Sequence, residues 1–504
     1  MNTTTIRRAA CALMLAGTLA LLTGCVSQMT ERPAQDISAM DIPIDAQAPE
    51  ADAFAAREET FALYYLSEDG ARLRPVVRTV TVEDGMSRSE AALRALMDGP
   101  QEGEDGVSWP EIGRLTGVRS YALSCGVATV ELPARARALT PAQLYAVRMA
   151  VACTLTEFQE VSYVNVLVGG REEGLDLAGT LAVGALSRAE DLDVASRFAR
   201  LDEQRQSASG GITRDTTLWF PSQDGQWIVP QVRSVSYSSA SAIDYLYTLL
   251  EELGAGTDHP MAAGLPAPMQ YIGEMPEIVR TEDGATLAVE LQFDASLDAA
   301  LAEAGLTRGV YLAALTDTLM GFIPGIDGLR VRIGGEAVEA LDAQQTPRGE
   351  ALLFAEGMMT RADFAGYAGA PCTLYLPAEG GICEVSCVVD QQRANSPRER
   401  LGQLMRMGAL PRGLTDADVL AVAVEPERVL VNLSGAFAEA LSGLSAQEER
   451  AAVYAMVNTL TEFAGTDGTP QRVAFFFDGA QRESPAGGIE MRGELMRNPG
   501  MVVD

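Results

Sequence analysis

The chain has 504 residues, 47% of them hydrophobic, and a formal charge of −31. That length suggests about three ordinary domains, and the acidity argues against nucleic acid as a partner, because binding the phosphate backbone needs a basic face. The sequence holds no lysine and one histidine, His259, which excludes P-loop, Schiff-base and Ser-x-x-Lys chemistry and any zinc site built from several histidines.

Met1 to Gly24 reads as an export signal. Arg7 and Arg8 form its charged start, and the apolar run Ala9 to Leu22 is shorter than the ~20 residues that span a bilayer. It ends in Leu22-Thr23-Gly24-Cys25, which resembles the lipobox of bacterial lipoproteins. Cys25 is therefore the expected lipid-attachment residue, and the chain is expected to be exported and anchored to the outer face of the cytoplasmic membrane. Residues 25–58, rich in Ala, Asp, Glu and Pro, read as a disordered acidic tether.

Three modules are expected, at 59–200, 212–366 and 367–504. In the first, Phe61 to Leu66 and Val76 to Val82 read as strands around the turn Ser67-Glu68-Asp69-Gly70. Ser87-Arg88-Ser89-Glu90 reads as a capping box, opening a helix that buries Leu93, Leu96 and Met97 and stops at Asp98-Gly99-Pro100. A polar stretch leads to a central strand, Val127 to Leu132. A helix follows, capped at Thr140 with Pro141 in its first position, and then a last strand, Val161 to Val168. Leu144, Val147, Val151, Leu155 and Phe158 recur at helical spacing as that helix's apolar face.

The second module repeats this order. Its strands run from Thr217 to Phe220 and from Gln231 to Tyr237, its central strand from Asp283-Gly284 to Phe293, and its second helix from Thr307 to Leu319. The third has strands at Cys372 to Leu376 and Ile382 to Val389, a helix capped at Ser396, a central strand with Val429 to Leu433, and a helix capped at Ser445. The expected fold class is α+β: three tandem small modules, each a short mixed sheet with two helices on one face.

Two phrases recur. Thr154-Leu155-Thr156-Glu157-Phe158 returns as Thr318-Leu319-Met320-Gly321-Phe322 and as Thr459-Leu460-Thr461-Glu462-Phe463, each before a strand closed by glycine. Gly-x-apolar-x-Arg appears at 184–188, 357–361 and 493–497, so the tails belong to the repeat unit and are expected to pack back onto their own modules. The intervals far exceed the about 20–50 residues of a solenoid repeat, which points to tandem domains. Leu155 and Phe158 continue the apolar face, and Thr154 and Glu157 are placed to satisfy backbone groups in the turn after the helix. Contact with a partner is the other reading of this signature.

Taken together, the opening Leu63-Tyr64-Tyr65-Leu66, Leu96-Met97-Asp98-Gly99-Pro100, Val127 to Leu132 and the Thr-Leu-Thr-Glu-Phe helix end resemble the GerMN domain family of spore-forming bacteria. The resemblance spans about 61–171, 216–336 and 371–480, and is weakest in the second, where Met320-Gly321 replaces Thr-Glu. It implies an exported lipoprotein of ring-building-motif-like α+β modules, acting in sporulation or germination through other envelope proteins, sporulation channel components included. It brings no catalytic residues and no cofactor.

Other candidates are weaker. Cys372 and Cys387 fall opposite each other in the expected third hairpin, and free thiols or a disulfide both remain open. Glu102, Glu104 and Asp105 lack the ligand spacing of a calcium loop. No catalytic or metal-binding set emerges, and the leading expectation is a non-enzymatic, membrane-anchored scaffold. The alternative is a lipoprotein that binds or senses cell-wall glycan or peptide, with peptidoglycan as ligand; Trp109, Trp219 and Trp227 are its candidate groove residues.

Overall fold

A computed structural model describes residues 39–40, 47–83, 85–110, 117–175, 179–206, 211–281, 284, 286–394, 396–461 and 472–503. Each module opens with an antiparallel hairpin: Arg57–Ser67 with Leu73–Val82, Ile212–Pro221 with Ile228–Tyr237, and Gly369–Ala378 with Gly381–Asp390. A short helix follows, Arg88–Met97, Ala242–Gly254 or Pro397–Arg406. Then comes a separate sheet of an edge strand, a central strand antiparallel to it, and a last strand parallel to the central one. These are Ser120–Ser124, Val127–Leu132 and Tyr163–Val168 in module one. They are Ile272–Arg280, Leu287–Phe293 and Gly328–Ile333 in module two, and Val419–Val424, Arg428–Leu433 and Arg472–Phe477 in module three.

A parallel pair needs a long crossover, and the helix that carries the signature supplies it: Pro141–Leu155, Arg308–Phe322 and Ala446–Thr461. These helices are buried on nearly every side, because each packs on its hairpin as well as on its sheet. The α+β class therefore holds, with the strands of each module divided between two sheets instead of one. The expected single apolar face was too narrow for a helix held between layers.

The tails close the sheets. Leu186, Met359 and Leu495, the apolar residues of Gly-x-apolar-x-Arg, pair antiparallel with Val164, Leu329 and Val473 of the last strands. The edge strands were not foreseen. Ile272–Arg280 carries Glu274, Pro276 and Glu277 and a break in register, so it lacks the alternation of a half-buried strand. Asp283 lies outside the described residues, and the central strand of module two starts at Leu287. Thr140 and Gln143 form a complete capping box. Ser87 forms only half of one: it accepts the Glu90 amide at 3.2 Å, while the Glu90 carboxylate binds Arg94.

The three sheets differ on the face turned away from their own helices. In module one that face presents Thr129, Asn165 and Leu167, all buried, and strand Ile228–Tyr237 of module two packs against it. In module two it presents Glu290 and Gln292 opposite Arg330 and Arg332, in reach of solvent. In module three it presents Leu430, Ala474 and Phe476, which form a small apolar cluster with Ala48.

Ala48 belongs to the stretch read as tether, and the described part of that stretch is not loose. Ala39–Met40 pairs with Glu494–Met496 at one edge of the third sheet, and Ala53–Phe54 pairs with Val419–Val424 at the other. Asp52 receives Arg398 at 2.6 and 2.8 Å and the Val422 amide at 2.8 Å. Asn432 donates to the Pro49 carbonyl at 3.2 Å. Disorder was expected because the segment cannot bury a core of its own; its described residues are held because module three offers them an edge and an arginine.

Candidate functional site

The signature begins with a threonine, and in every module it does the same thing. Thr154, Thr318 and Thr459 are wholly buried, and their hydroxyls accept the backbone N–H of Tyr64, Trp219 and Tyr375 at 3.0, 2.9 and 3.0 Å. Those three residues lie in the first hairpin strand, opposite Pro75, Pro230 and Glu384. A proline fits only where the facing pair exchanges no hydrogen bonds, so the N–H across from it points outward and needs an acceptor. The expectation placed this threonine's bond in the turn after the helix; it goes instead to the hairpin, because the helix is held between two layers.

The tail arginine returns to the same helix end, where the free carbonyls favour a cation. In module one, Glu157 accepts the Tyr64 hydroxyl at 2.6 Å and Arg188 at 2.7 Å. Burial works against the Glu157 charge, but these two donors overcome it and hold the carboxyl below its ordinary range. Burial and the Glu157 carboxylate push the Tyr64 phenol up to about 12. In module three, Arg497 donates to the Tyr375 hydroxyl at 2.6 Å and lies over its ring. In module two, Arg361 donates to the Asp317 carbonyl at 3.1 Å, and its guanidinium lies 3.6 Å from the buried Asp317 carboxylate. Burial pushes that carboxyl up to about 6.

Module two departs from the signature where it meets module one. A Cβ on Gly321 would lie 3.4 Å from the Arg361 guanidinium and 3.8 Å from the Asn165 amide, so a glutamate there would stand beside the tail arginine at the seam between modules. The seam is polar and buried. Glu172 donates its N–H to the Met320 carbonyl at 3.1 Å and accepts the Gly325 N–H on its own carbonyl at 3.2 Å. Its side chain lies 3.2 Å from Arg148, both 1% exposed, and accepts the Val183 amide at 3.2 Å. Burial pushes the Glu172 carboxyl up to about 7, against the pull of Arg148.

Between modules one and three lies a cleft of about 1060 Å³, with Arg88, Tyr121, Glu157 and Phe158 on one wall and Gln391 and Arg400 on the other. The signature of module one therefore ends on its rim.

Segments 62–174 and 373–483 match the model of the Germane family, described as sporulation and spore germination. The matched segments fall in the first and third modules. The match leaves out module two. A comparison with curated proteins finds no match. Among solved structures, the tandem GerMN domains of the sporulation protein GerM from Bacillus subtilis are similar at 17% identity, over 60% of this chain and 99% of that one, with a TM-score of 0.23. The first GerMN domain of the same protein is similar at 20% identity, over 27% and 97%, with a TM-score of 0.20.

The remaining sequence candidates fall in varied places around the matched segments. Cys25, Glu462 and Phe463 lie outside the described residues. Trp109 and Trp219 are core, and Trp227 packs on Gly369, so none of the three stands in an open groove. His259 spends its Nδ1 on the Met261 amide at 3.3 Å. Glu104 is held by Arg78. Cys372 and Cys387 do face each other, and both are free thiols. Sequence reasoning missed the Arg148–Glu172 pair, although an arginine between Val147 and Met149 in an apolar helix was a usable signal.

Proposed function

We propose that the chain is a lipid-anchored envelope scaffold acting in sporulation or spore germination, exported and held at Cys25 on the outer face of the cytoplasmic membrane. The observation that carries this reading is the Germane match of two modules. It is supported by how the repeated residues are used: the threonines hold hairpins, and the arginines tie down the Glu157 and Tyr375 side chains beside them. These are architectural roles, as in a protein that works by presenting surfaces to other envelope proteins. Module two, with the same order of elements, serves as a third, divergent Germane copy.

Fluorescence localisation of a tagged chain through the life cycle tests this, beside a Cys25→Ala version. The expected result is recruitment to the engulfing septum, lost on substitution. Uniform envelope signal with no change at sporulation would overturn it. The cleft between modules one and three favours a second reading, binding of wall glycan or peptide. Co-sedimentation with purified peptidoglycan, reduced by Gln391→Ala, is its expected sign.

A further inference from the structure

The third hairpin pairs without a break from Gly369↔Asp390 to Ala378↔Gly381, around the two-residue turn Glu379-Gly380. In such a hairpin the closing pair exchanges hydrogen bonds, and pairs alternate from there. Cys372↔Cys387 is then a hydrogen-bonded pair, and Tyr375 is not, which is why its N–H is free to reach Thr459. Hydrogen-bonded pairs hold their Cα atoms about 5.5 Å apart, inside the roughly 4.4–6.8 Å that a disulfide bridges. The buried Arg400 lies beside both thiols. Cys372 faces the core; Cys387 is half-buried and packs on the same cluster.

We propose that Cys372 and Cys387 are a redox-active dithiol that closes to a cross-strand disulfide by exchange with a disulfide-bearing donor, protein or small molecule. Cys387, the more accessible although its neighbour Cys372 and burial push its thiol up, attacks one donor sulfur as the thiolate, forms a mixed disulfide and releases a donor thiolate. Cys372, as a thiolate beside Arg400, then attacks the Cys387 sulfur and expels the second donor thiolate. The two cysteines are oxidised, the donor disulfide is reduced to two thiols, and the two cysteine protons pass to them. Once Cys387 is in the mixed disulfide it has no proton to give, and the Arg400 guanidinium is the group that favours the Cys372 thiolate for the second attack.

The site controls a junction. At the open end of this hairpin Gly369 accepts the Ser124 hydroxyl of module one at 2.6 Å and abuts Trp227 of module two, so all three modules meet there. A bond three pairs along the ladder would stiffen that meeting point.

The test incubates the full chain with oxidised glutathione in native buffer, traps free thiols by alkylation, and maps peptides by mass spectrometry. The expected product is a 372–387 linked peptide, with Cys125, Cys153 and Cys383 alkylated. Cys372→Ser should accumulate one glutathione adduct at Cys387, whereas Cys387→Ser should leave Cys372 unmodified. Alkylation of both residues in the unsubstituted chain, or a link through Cys383, would overturn the proposal, and it needs no variant to fold.

Discussion

The outer sheet faces of modules one and three have the same strands in the same register, yet they are closed in opposite ways. Thr129 and Asn165 in module one stand where Leu430 and Ala474 stand in module three. The first face is polar and is sealed by another module, with Arg148, Glu172 and Asp317 buried along the seam. The second is apolar and is covered by a short strap from the start of the chain. The difference teaches that divergence between the copies is concentrated on residues that face away from the core. The signature threonines, which face inward, do one job in all three.

The largest test of this contrast restores the signature where the seam has erased it. Gly321→Glu makes two carboxylates, its own and the buried Asp317, share Arg361, and should cost roughly 3 kcal/mol. Urea unfolding should then resolve module one from module two as separate transitions. A single transition with an unchanged midpoint would mean that the seam is not what selected glycine.

Next in size is the pH response. Burial raises Glu172 to about 7 and Asp317 to about 6. The folded seam therefore keeps protons that the unfolded chain has already released, and its stability falls as pH rises from about 4.5 through 7. The effect of Glu172 is at most about 3 kcal/mol. Glu172→Gln should flatten the thermal midpoint across that window. Asp52, on the strap, has the opposite sign. Arg398 holds it below 3.8, so its contribution is present above that value and lost as pH falls beneath it.

Thr154→Val and Thr459→Val should each cost about 1–3 kcal/mol, since each leaves a buried N–H without an acceptor. Equal losses would confirm that the two modules share one core and differ only outside it; the shift in the urea midpoint measures this. Asp52→Asn is the smallest perturbation. Its ion pair is partly exposed and worth less than about 1 kcal/mol, so the change should appear as faster amide exchange at Ala55 with little loss of global stability.

What could be read in the sequence was local. Alternation around Asp69-Gly70 and Ala378 to Gly381 gave the hairpins, and caps at Thr140 and Thr307 gave the signature helices within three residues of their observed ends. The tail phrase was visible as a repeat, and its pairing to the last strand follows. The acceptor role of Thr154 was not visible, because its donor, Tyr64, is 90 residues away in another layer. The edge strands stayed hidden because one flank needs no side-chain alternation. The strap stayed hidden because a segment with no core of its own was judged without the surface that receives it.

That strap has a consequence for order of assembly. Asp52 and Arg398 are separated by 346 residues. At about 5–20 residues per second, the earliest part of the folded chain waits on the order of tens of seconds for its seat to be made. It is synthesised first and placed last, so any chain cut off after module two would carry an N-terminal segment with nowhere to dock.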